Sequence, residues 1–96
     1  MTTLEREFAE RLRDAIRQAI DLGYHPTRFE QMLETQGAVG LARKLVTSGD
    51  LQDGLKAMAK LGRRDLTMES IMLEDKFKSL FSKAELEAAK WRLGSI

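Results

Sequence analysis

The chain has 96 residues, 43% hydrophobic and 32% charged, enough apolar material for one domain around one core and too much for general disorder. It holds no cysteine and one histidine, which excludes disulfides and thiolate metal sites and points to a reducing cytoplasm. Basic and acidic residues number 16 and 15 and are evenly spread, for a net charge of +1, so no broad field draws the chain to DNA or anionic lipid.

No apolar run approaches the roughly 18 residues of a membrane span. The opening Met-Thr-Thr-Leu-Glu-Arg-Glu mixes acids and bases, unlike a secretory leader. From about Thr3 to Leu22, Leu4, Phe8, Leu12, Ile16 and Ile20 recur at four-residue spacing, which predicts a long first helix with that stripe buried. Gly23 supplies its stop, and Tyr24 and His25 are expected to be extended before Pro26, the only proline. A second helix is expected to start at Thr27 with a Thr27/Glu30 capping box, bury Phe29, Met32 and Leu33, and end at Gly37. A third is expected from Val39 to Thr47, burying Val39, Ala42, Leu45 and Val46. After a Ser48-Gly49-Asp50 turn, Asp50 is expected to cap a fourth helix with Leu51, Leu55, Met58 and Leu61 inward and Gly62 closing it.

The last third repeats one local pattern. Thr67 can cap the helix begun by Met68 while Leu66 packs on Ile71, and Ser82 with Glu85 forms a capping box while Phe81 packs on Leu86. Between these starts, Met72, Leu73, Phe77 and Leu80 suggest a helix interrupted near Glu74-Asp75. The final helix is expected from Lys83 to Leu93. No segment alternates long enough for a strand. The predicted fold is all-α: one domain over residues 1–96, five to seven short helices with a long N-terminal one.

The segments Gly23-Tyr24-His25-Pro26-Thr27-Arg28-Phe29, Met32-Leu33, Arg64-Asp65-Leu66-Thr67-Met68-Glu69, Leu80-Phe81 and Glu85-Leu86 give Gly23 to Leu93 a distinct signature. Over this stretch the chain resembles a family of small bacterial helical domains of uncharacterised function, found alone or as C-terminal appendages of larger proteins. The resemblance implies a helical fold and a bacterial or phage origin, and carries no catalytic residues with it.

Residues able to do chemistry are few. His25 lacks a nucleophile and orienting carboxylate at any readable spacing and is expected to hydrogen-bond backbone. Asp50 and Asp53 lack the rest of a calcium loop, Glu30 and Glu34 share a face that reads as solvated, and no Gly-Lys-Ser/Thr completes a phosphate loop. No catalytic, metal or cofactor residue is therefore assigned, and an enzyme is not expected. Lys56, Lys60, Arg63 and Arg64 form one basic cluster, which suits either a helix C-terminus or phosphates. Met58, Met68, Met72, Phe77, Phe81 and Trp91 form an apolar, sulfur-rich set, mostly core, part of which can line a groove; Trp91 is the candidate partner anchor. The expected function is a non-enzymatic protein-interaction module in the cytoplasm, its partner another protein or a second copy. The alternative is weak nucleic-acid binding through Lys56 to Arg64.

Overall fold

In the computed structural model, residues 2–48 and 53–96 are described, and they contain six α-helices and no strand. The first, α1 (Thr3–Asp21), is the longest. Its N-terminus is fixed by a capping box in which the Glu5 amide donates to Thr2 Oγ1 at 3.1 Å and the Thr2 amide donates to Glu5 Oε1 at 3.2 Å. The buried face of α1 is Phe8, Leu12, Ala15 and Ala19, not the full stripe of Leu4 to Ile20. Four residues advance a helix by about 400°, so such a stripe slips about 40° per step and its two ends cannot face one core. Ile20 is accordingly 39% exposed.

The second helix, α2 (Thr27–Gln36), begins one residue earlier than its capping-box signature suggests. The Glu30 amide closes the first helical bond on the Pro26 carbonyl at 3.0 Å. Pro26 is therefore the N-cap, and Thr27 lies within the first turn without a capping bond. Glu30 instead faces His25. One residue, Gly37, both ends α2 and starts α3 (Ala38–Val46). Its φ of 76° and ψ of 157° lie in a region open essentially to glycine alone. Gly23, Gly37 and Gly62, the three expected helix stops, are the residues of positive φ among those described. The α3 core face is Ala38, Leu41, Ala42, Leu45 and Val46, with Val39 half-buried at its edge.

The expected turn at Gly49 and Asp50, the Asp50 cap and Leu51 lie outside the described residues. The fourth helix, α4 (Asp53–Lys60), buries Leu55 and Met58. Leu61, expected inward, follows its last turn and is 45% exposed, because the chain turns away at Gly62. A 3₁₀ turn (Arg64–Leu66) leads to α5 (Met68–Met72), where the Ser70 amide donates to Thr67 Oγ1 at 3.2 Å. The chain leaves helical geometry after Met72, passes Phe77 and a second 3₁₀ turn (Lys78–Leu80), and enters α6 (Lys83–Gly94). The predicted Ser82/Glu85 box caps α6, at 3.1 Å and 2.8 Å.

The core is one continuous cluster around α1, which packs on α3, α5 and the first 3₁₀ turn, with α6 against α5 and α3. At its centre Phe8 meets Phe77 and Phe81 edge-on, at centroid distances of 5.4 Å and 5.3 Å, the arrangement that aligns positive ring edge with negative ring face. The radius of gyration is 12.2 Å, close to the roughly 12.5 Å of a compact chain this long.

Candidate functional site

A cleft of about 950 Å³ lies between α1, α2 and α4, against the core. Leu12, Ala15, Ile16 and Ala19 of α1 form its floor; Phe29 and Met32 of α2 form one wall, and Leu55 and Met58 of α4 the other. Leu66 and Met68 close its depth. Tyr24 reaches across its end: a Cβ at Gly54 would lie 3.6 Å from the Tyr24 hydroxyl. Leu12, Ala15, Ala19, Leu55, Met58, Leu66 and Met68 of this lining are buried core side chains, and Ile16, Phe29 and Met32 are half-buried.

Two polar side chains are buried beside this lining, and both are committed. Thr67 donates to the Arg64 carbonyl at 2.7 Å while it caps α5. Glu69 accepts from Arg92 Nε at 2.7 Å, and the two side chains are 4% and 1% exposed. At the rim, His25 Nε2 lies 2.9 Å from Glu30 Oε1, in place of the expected backbone contact. Arg28, Lys44 and Asp53 are the other charged lining residues described, and all three are exposed.

The basic cluster divides. Lys56 and Lys60 are exposed on α4. Arg63 is held by Asp65, at 3.0 Å and 3.1 Å, and by Gln18 at 3.1 Å. Arg64 donates to the Ile96 carbonyl at 2.7 Å. The hydrogen bonds from Arg63 hold the Asp65 carboxyl below the ordinary carboxylate range, and the same contact raises Arg63. Two of the four cations thus serve local structure.

Trp91 is 60% exposed on α6, away from the cleft lining. Met58, Met68, Met72, Phe77 and Phe81 are all buried, Met58 and Met68 at the cleft. Met32, not in the expected set, joins them there; its place in the α2 pattern was the available signal. Glu30 and Glu34 turn to different partners, His25 and, at 4.0 Å, Arg13. Among the described residues no group of three His, Cys, Asp or Glu side chains could hold a metal, and no helix is long and apolar enough to cross a membrane. No family model, curated protein or solved structure matches the chain.

Proposed function

We propose that the chain works by binding another protein, as a non-enzymatic accessory module of a bacterial or phage system acting in the cytoplasm. The observation that carries this reading is the cleft, where half-buried Tyr24, Phe29 and Met32 lie beside the buried Leu55, Met58 and Met68. Unbranched, polarisable methionine adapts to a partner's shape, so such a lining suits a protein surface. Trp91 adds a second apolar contact of the type that anchors interfaces. The cysteine-free composition supports the cytoplasm, and the resemblance read from the sequence supports the bacterial or phage setting.

Nucleic-acid binding is the second reading, favoured by the exposed Lys56 and Lys60 on one face of α4. Retention on a graded salt series separates the two. The protein-binding reading expects a host protein that stays bound at high salt and binds again when purified. Two phosphate contacts would instead give a slope of log K against log salt near about −1.8, from about −0.9 per contact. Duplex DNA retained with that slope, and no protein retained at high salt, would overturn the first reading in favour of the second.

A further inference from the structure

We infer that the outer face of α6 pairs with the same face of a second copy of this chain, the two helices antiparallel, with Trp91 of each seated over Ala84 of the other. No residue of α6 lines the cleft, so the inference goes beyond the protein-binding reading and does not rest on it.

The two sides of α6 are the reverse of an ordinary surface helix. Its buried side carries a charge, Arg92, whose Nε donates to Glu69 at 2.7 Å. Its outward side carries Trp91, at 60% the most exposed large apolar residue among those described. Ala84 is exposed on that side too, and Ala88 is half-buried at its edge. Leu86 and Ala89 meanwhile pack inward. A helix that is apolar on both sides is one that is covered on both sides.

The face supplies both halves of its own contact. Ala84, Ala88, Trp91 and Ser95 follow at spacings of four, three and four, those of a helix-pairing seam. The large ring and its small seat, Ala84, lie two turns apart, so an antiparallel two-fold sets each ring over the other copy's alanine and closes the assembly as a dimer. The polar groups of the seam do not oppose this, because the Ser95 hydroxyl donates to the Trp91 carbonyl at 2.8 Å.

Charge selects the same arrangement. Lys83, Glu87 and Lys90 flank the row, all exposed and none with an ion-pair partner among the described residues. With Trp91 opposite Ala84, Lys90 of one copy falls about 3 Å along the axis from Glu87 of the other. The two acids are then bracketed by lysines at either end. A parallel pair would set ring on ring and like charge on like charge. The helix is 12 residues, about 18 Å long and about 10 Å wide, well short of the roughly 800 Å² per partner of a stable interface. The pairing is therefore weak: the dilute chain is monomeric with its ring open to water, and the dimer fills at high concentration.

Sedimentation equilibrium of the full chain between about 10 μM and about 1 mM, the range in which weak pairing is read, tests this. The mass is expected to rise from one chain toward two, with the tryptophan emission moving to the blue over the same range. Trp91→Ala and Ala84→Glu should each weaken the pairing at least about tenfold, with helical signal and melting temperature unchanged in dilute samples. Glu87→Lys should weaken it as well, and adding Lys90→Glu should restore it, because the swap exchanges the two signs across the seam. A single-chain mass at the highest concentration would overturn the inference. So would a dimer untouched by Trp91→Ala, or a Glu87→Lys loss that Lys90→Glu leaves unrepaired. The salt-series retention of a host protein is read separately, so a monomeric chain would leave the protein-binding reading standing.

Discussion

Arg92 of α6 donates its Nε proton to Glu69 of α5 at 2.7 Å, and the two side chains are 1% and 4% exposed. The pair ties the last helix to the residues at the cleft's depth. Removing two charges from water costs several kcal/mol per ion, which their attraction offsets only while both are present. Glu69→Ala is therefore expected to cost about 3 to 5 kcal/mol in a urea titration. The double variant Glu69→Leu/Arg92→Met, which replaces both charges by apolar volume, should recover at least half of that loss. A double variant as weak as the single one would mean that the pair contributes more than its own desolvation.

Phe81 and Ser82 are neighbours in sequence with separate tasks. Phe81 packs edge-on to Phe8 in the core, while Ser82 caps α6. Phe81→Ala should cost about 3 to 5 kcal/mol through the cavity it leaves, and Ser82→Ala about 1 kcal/mol through the lost cap. Denaturant midpoints measured side by side check the ratio; equal, negligible losses would contradict the packing described.

Asp65 gives the fold an acid-side dependence. Its hydrogen bonds from Arg63 lower its folded pKa, so its stabilisation is present above the unfolded value of about 3.9 and is lost as pH falls through the folded one. Asp65→Asn should flatten the melting temperature against pH below about pH 4 and leave the remaining acid dependence, which includes that of the hydrogen-bonded Glu5. An unchanged acid limb would show that the Arg63 contact is not kept in solution.

The single tryptophan reports on its own surface. With Trp91 60% exposed, acrylamide should quench its emission readily in the folded state. Unfolding should shift its maximum far less than it changes the helical circular-dichroism signal. A strong blue-shifted emission from the free chain would place the ring under cover, as in self-association through α6.

What was legible in the sequence was local. The Ser82/Glu85 box, the Thr67 cap and the stops at Gly23, Gly37 and Gly62 each depend on residues at most three apart, and each stands where it was read. The Thr2-x-x-Glu5 box carries the same signature and was passed over. The face of α1 misled because Ala15 and Ala19 give little hydropathy signal beside Ile16 and Ile20, although helix geometry places the alanines inward. The Glu69–Arg92 pair joins positions 23 residues apart, and a lone acid and base in charged helices read as solvated. The cleft was legible only as an apolar, methionine-rich composition, since its walls come from separate segments. Trp91, the candidate anchor, is exposed on α6, while Ala89 and Arg92 form that helix's buried side.

Gly37 gives the cleft a mechanical character. Because one residue ends α2 and begins α3, that end of the α2 wall has no slack and pivots on a single pair of torsions, like a door on one pin. An added Cβ would touch nothing within 4 Å, so the penalty for any other residue is torsional rather than steric. A substitution at Gly37, which lines no part of the cleft, would therefore reach the α2 wall through the backbone alone.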